Sequence, residues 1–152
     1  MEPILISACL LGASCRYDGG SKPVLSVEAL MGRYQLVPIC PEQLGGLPTP
    51  REPSERQGNT VVMRSGTDVT AQYRRGAEQA LHLAQVFGCK KAVLKERSPS
   101  CGSGEIYDGT FSGHLTSGDG VTAELLKANG IEVFGESEIE TLLEAAEESG
   151  LF

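Results

Sequence analysis

Short apolar runs alternate with amphipathic stretches along this chain, and the alternation predicts most of its elements. Residues 4–8, Ile-Leu-Ile-Ser-Ala, form an apolar run suited to a buried strand, and a Gly-rich loop follows, ending Arg-Tyr-Asp-Gly-Gly. Ser26 opens a short helix with Glu28 in its first turn, running to about Arg33. Gln35–Ile39 reads as a second strand, with Pro38 at a position that cannot donate to a ladder. The stretch 43–67 is rich in Gly, Pro and Arg, and reads as a long functional loop with a minor edge strand at Val61–Met63. Thr67-Asp68 offers a cap for the longest helix, about 68–87, whose apolar face runs through Tyr73, Ala77, Ala80, Ala84 and Phe87. Gly88 ends it, and Ala92–Leu94 is the next strand. A second irregular stretch, 105–118, precedes a helix over 120–129, a strand at Ile131–Phe134 and a final amphipathic helix over 137–149.

This order argues an α/β fold: one domain spanning 1–152, a mostly parallel sheet with helices on both faces, and a Rossmann-like or flavodoxin-like three-layer arrangement. A chain of 152 residues can bury a core without disulfide staples. No apolar run approaches the roughly 20 residues that span a bilayer, and Met1-Glu2-Pro3 lacks a basic secretory start. The expected location is the cytoplasm, with no membrane partner. A net charge of −7 argues against nucleic acid, because phosphate binding relies on an excess of Lys and Arg. The expected partner is a small molecule.

The five cysteines carry the candidate chemistry. A disulfide framework is a poor account of an odd count in a reducing compartment. Ligands of open α/β sheets bind outside the carboxyl ends of the strands, and Cys9, Cys40 and Cys101 each lie at or just beyond such an end. Cys89, between a helix end and a strand start, belongs to the opposite edge as a packing residue. Cys15 lies in the first loop within reach of the trio. Structural zinc usually shows paired Cys-x-x-Cys knuckles, which are absent. Three thiolates on a [4Fe–4S] cluster would leave one iron open as a Lewis acid. A nucleophilic cysteine would want a histidine, and only His82 and His114 are present. Cluster binding, cysteine catalysis and plain packing stay open, in that order of preference.

Three blocks of the chain are more specific. Ile6-Ser-Ala-Cys-Leu-Leu-Gly12 with Arg16-Tyr-Asp-Gly-Gly20, Val37-Pro-Ile-Cys-Pro-Glu42 with Gly46-Leu-Pro-Thr-Pro-Arg51, and Lys95 with Ser98-Pro-Ser-Cys-Gly102 resemble, in the same order, a bacterial and archaeal family that includes the thiouracil desulfidases. The resemblance covers nearly the whole chain. It implies a [4Fe–4S] cluster held by Cys9, Cys40 and Cys101, and removal of sulfur from a thiolated nucleobase such as 2-thiouracil. It further implies that Glu42 activates water or shuttles the ring proton, and that Ser98 and Ser100 hydrogen-bond the substrate or developing charge. Arg16, Asp18 and Lys22 are candidates to orient the ring, or to pair with one another. Arg51 is a candidate to close over the site, and Phe111 to stack on a pyrimidine. A persulfide-forming sulfurtransferase and a non-catalytic iron–sulfur or metal-binding module are the alternatives.

Overall fold

A computed structural model describes residues 1–21, 23–24 and 26–148. Lys22, named above, and the last residue of the expected 137–149 helix lie outside them.

Four parallel strands form the centre: β1 (Glu2–Ser7), β2 (Tyr34–Ile39), β5 (Lys91–Leu94) and β8 (Glu132–Gly135), in the order β2-β1-β5-β8. Strict alternation along β1 builds the layers. Ile4 and Ile6 pack with Val27 and Leu30 of α1 (Val27–Met31) and with Ile139 and Leu142 of α5 (Ile139–Glu148). Leu5, pointing the other way, joins Ala80 and Ala84 of α3 (Thr70–Phe87) and Ala123 and Leu126 of α4 (Val121–Ala128). Ile4, Leu5 and Ile6 are fully buried, and a strand covered on both faces reads as a continuous apolar run for that reason. Pro38 lies opposite Ile6 on the outermost strand, where a missing N–H leaves no partner unsatisfied. Among the described residues no helix is long and apolar enough to cross a membrane.

The two stretches read as loops hold structure that the sequence pattern did not announce. The first contains a short helix, α2 (Pro41–Leu44), and a hairpin of β3 (Ser54–Gln57) and β4 (Thr60–Met63). Ser-Glu-Arg-Gln has no apolar alternation, so β3 is invisible as a strand, although Gly58 (φ +62°) with Asn59 makes a two-residue hairpin turn. The second contains a hairpin of two three-residue strands, β6 (Glu105–Tyr107) and β7 (Leu115–Ser117). The long helix begins at Thr70, two residues later than expected. Asp68 pairs with Val62 as a bridge and the Val69 amide donates to the Val61 carbonyl, so the chain is still extended there.

α2 and α3 meet backbone to backbone. A Cβ on Gly76 would fall 1.9 Å from the Pro41 carbonyl oxygen, and one on Gly45 would fall 2.0 Å from that of Gln72. Glycine at both positions is what lets α2, and with it the end of β2, sit directly on the long helix.

Candidate active site

The carboxyl ends of β2, β1 and β5 are neighbours, and each delivers one cysteine. After Ser7, β1 runs into a single 3-10 turn, Ala8–Leu11, which carries Cys9 and is closed by Gly12 at φ +102°. β2 ends at Ile39, and Cys40 is the extended residue before α2, with Pro41 as the first helical position and Glu42 next. β5 leads through Lys95 and Glu96 into a turn bearing Cys101. The Ser98 hydroxyl accepts the amides of Ser100 (3.1 Å) and Cys101 (3.0 Å), which fixes that turn. The carbonyls of Pro99 and Ser100 in turn accept amides of the first turn of α4 (2.9 and 2.8 Å).

Cys9, Cys15, Cys40 and Cys101 line one cleft of about 560 Å³, together with Glu42, Lys95 and Ser98. Cys15 does reach the trio: the loop after Gly12 folds back and buries it beside Cys40. The Cys40 thiol donates to the Cys15 carbonyl at 3.7 Å. Burial pushes the Cys9 thiol up to about 11, with the Lys95 ammonium and Arg16 guanidinium pulling the other way. Burial likewise lifts Cys40 to about 11, and raises Cys101 further still. All are protonated at neutral pH until a cation or cluster takes them. His82 and His114 are exposed and do not line the cleft, so no imidazole is placed to activate a thiol. Among the described residues, no three His, Cys, Asp or Glu side chains are close enough to share one metal ion. A single tetrahedral zinc would hold thiolates only about 4 Å apart.

Glu42 is tightly framed. Its Oε2 accepts Arg51 Nη2 (2.7 Å) and Nε (3.1 Å) and the Tyr73 hydroxyl (3.2 Å). Arg51 also donates to the carbonyls of Cys15 and Pro48 and to the Thr49 hydroxyl, and its side chain is 2% exposed. Arg51 therefore lines the cleft but turns its donors onto Glu42 and the loops rather than outward. Lys95 Nζ is held by Glu136 Oε2 (3.2 Å) and the Glu96 carbonyl (3.0 Å).

The remaining expected residues divide. Arg16 and Phe111 line the cleft, Phe111 at φ +57° with the Arg64 guanidinium 5.8 Å from its ring centre. The buried Glu55 holds the loop carrying it, its Oε1 accepting the amides of Gly109 (2.9 Å) and Phe111 (3.1 Å). Asp18 is exposed, accepts its own turn's Gly20 amide and does not line the cleft. It organises the first loop. Ser100 is fully buried and shares a 2.8 Å hydrogen bond with Thr122, so its hydroxyl faces the protein interior and not the cleft. Tyr73 was missed because its spacing along α3 is that of any core residue, whereas Lys95 carried a signal in its position just past a strand end.

Thiols gathered where three parallel strands end, two of them buried and one half-buried, mark an α/β enzyme whose chemistry on a small molecule runs through sulfur. Comparison with known proteins narrows that class. The chain belongs to the 2-thiouracil desulfurase family, whose model matches residues 4–138. It is 45% identical over 150 residues to the uncharacterized protein YbbK of Bacillus subtilis (strain 168), covering 92% of this chain and 99% of that one. It is also similar to a solved structure of TudS, a [4Fe–4S]-dependent thiouracil desulfidase, with 51% identity and a TM-score of 0.92 over 97% of this chain and 99% of that one.

Proposed function

We propose that this protein is a [4Fe–4S]-dependent desulfidase that converts a thiolated pyrimidine such as 2-thiouracil, with water, into uracil and hydrogen sulfide. The observation that carries the proposal is the cleft itself: cysteines from three adjacent strand ends share it with one framed carboxylate. The donor set fits an iron–sulfur cluster. It is all thiol, Cys9 and Cys101 are buried and Cys40 is half-buried, and its members are too dispersed for a single ion.

Cys9, Cys40 and Cys101 would hold the cluster, which when bound supplies a Lewis-acidic iron with affinity for sulfur. Cys15 is left out of the ligand set because it sits out in the loop beyond Gly12, whereas Cys9, Cys40 and Cys101 each follow the end of one of three adjacent strands. The protein's own groups do the rest. Glu42 takes a proton from the water whose oxygen replaces sulfur at the ring carbon and passes it to the departing sulfur, so that both water protons leave with hydrogen sulfide and the ring nitrogens keep their own. Ser98 keeps Cys101 in place through two backbone amides and lines the cleft beside it. Arg16 and Lys95 bring positive charge next to Cys9, where they would counter the negative charge that develops on sulfur during the reaction. Phe111, which lines the same cleft, would stack on the base. A persulfide mechanism is disfavoured, because the cleft thiols are poor nucleophiles at neutral pH and no histidine attends them.

Anaerobic reconstitution with iron and sulfide, followed by incubation with 2-thiouracil, tests the reading. The expected result is a visible absorption band, four irons per chain (the stoichiometry of such a cluster, about four), and release of uracil and sulfide. Cys9→Ala, Cys40→Ala and Cys101→Ala should each lose the band, while Cys15→Ala keeps it. No band in the wild type, or retention in all three variants, would refute the assignment.

A further inference from the structure

We propose that Tyr73 and Arg51 are positioning residues that anchor one oxygen of Glu42 so that the other is presented to the substrate. This rests on the desulfidase reading, in which Glu42 moves the reaction's proton.

The geometry is asymmetric. All three hydrogen bonds to the Glu42 carboxylate land on Oε2, and Oε1 receives none among the described residues. Glu42 keeps 16% exposure while the Arg51 side chain keeps 2%, so of the two groups on the cleft wall the carboxylate is the one more open to it. A carboxylate on a free side chain rotates and offers either oxygen. Loading one oxygen with three donors stops that rotation and fixes where the second lies. The Tyr73 phenol can play only the donor's part, because burial and the neighbouring carboxylate hold it protonated.

The anchors come from independent parts of the fold. Tyr73 stands on α3, one turn before Gly76, the residue that lets α2 approach. Arg51 follows the Pro48–Pro50 loop. Its backbone amide donates to the Tyr17 carbonyl at 2.6 Å, and its guanidinium reaches the Cys15 carbonyl at 3.1 Å. One guanidinium thus ties the first loop, the second loop and Glu42 together, and lysine cannot reproduce that fork. The arrangement predicts that Glu42 is placed by its partners and not by its own rotamer preference.

The test is a double-mutant cycle on the reconstituted enzyme with 2-thiouracil. Tyr73→Phe should lower kcat about tenfold, the scale of one hydrogen bond to a charged group, with KM and the cluster absorption band unchanged. In a Glu42→Ala background the same change should have no further effect on residual turnover. A merely structural tyrosine would lower both backgrounds alike. Arg51→Lys serves as the second arm and should likewise lower kcat with the band retained. Unchanged kcat in both variants, or additive losses in the cycle, would overturn the proposal. Crystal structures provide a readout independent of turnover. In Tyr73→Phe and Arg51→Lys the Glu42 carboxylate should rotate or split between conformers. An unmoved Glu42 in both would overturn the anchoring even if the wild type proved inactive on thiouracil, an outcome that would instead refute the desulfidase reading.

Discussion

Gly76→Ala is the substitution that most directly tests how the fold positions the site. The added Cβ would lie 1.9 Å from the Pro41 carbonyl oxygen, 2.7 Å from its carbon and 3.3 Å from its Cα, all backbone atoms that no rotamer change can move aside. Restoring ordinary contact near 3.4 Å requires α2 and α3 to part by about 1.5 Å. Two effects oppose each other. Alanine in the interior of an 18-residue helix gains about 1 kcal/mol over glycine in propensity. Overpacking of a tight contact costs about 1–3 kcal/mol, and a backbone-on-backbone clash belongs at the upper end. The net expectation is a loss of about 2 kcal/mol, which for a domain of this size moves the urea midpoint down by roughly 1 M. Pro41 lies between Cys40 and Glu42, so the displacement reaches a proposed cluster ligand and the carboxylate together. Cluster incorporation should fall in parallel with the midpoint. Gly32→Ala is the control: Gly32 already has φ −73° and its nearest neighbour is 3.5 Å from the added carbon. A Gly76→Ala protein with an unchanged or raised midpoint would show that the contact is looser than 1.9 Å and would refute the argument.

Further expectations can be checked alongside. Ser100→Ala should destabilise by about 1–3 kcal/mol in denaturant titration by stranding the buried Thr122 hydroxyl, yet leave KM for thiouracil alone; a KM effect without destabilisation would return Ser100 to the substrate. In the cluster-free protein, Cys9 and Cys40 titrate near 11 in the fold against 9.0 ordinarily. The folded chain therefore keeps protons that the unfolded chain has lost in that window. Stability should be full below about pH 9 and fall as pH rises toward 11, and urea midpoints that stay flat over the window would contradict this. Glu55→Ala frees the Gly109 and Phe111 amides, so KM should rise several-fold while kcat holds within about twofold; an unchanged KM would remove Phe111 from the binding wall.

Much of the architecture could be read from the chain because burial on two faces leaves a mark on sequence. Ile4-Leu5-Ile6 is apolar at every position for that reason, and the strand ends it defines located the cysteines without any local metal motif. The hairpins were harder. β3 pairs through its backbone while its side chains answer to other demands. Glu55 is buried to hold the 108–114 loop, and Arg56 reaches the Asp119 carbonyl at 2.7 Å. A strand whose side chains serve distant partners shows no alternation, so periodicity cannot find it.

The site divides along a similar line. The thiols and the carboxylate that share the cleft were legible because few other roles call for those types just past strand ends. Residues that act through a neighbour were not. Tyr73 follows the core spacing of α3, and only its hydroxyl, reaching Glu42 across 31 positions, separates it from a packing aromatic. Arg51 looked like a group for substrate because arginine in a Gly/Pro-rich loop so often faces solvent, yet all three of its guanidinium nitrogens turn inward. Ser98 and Ser100 are identical in type and two apart, and the turn sends one hydroxyl to the amides that hold Cys101 and the other into the core against Thr122. Such a distinction depends on where α4 docks. The Cβ-free Gly120, whose missing carbon would lie 2.4 Å from the Ser100 carbonyl, allows that docking from twenty residues away. The sequence can therefore say which thiols and which carboxylate meet in this cleft, while their orientation is decided by long-range backbone contacts at Gly76 and Gly120 that have no local signature.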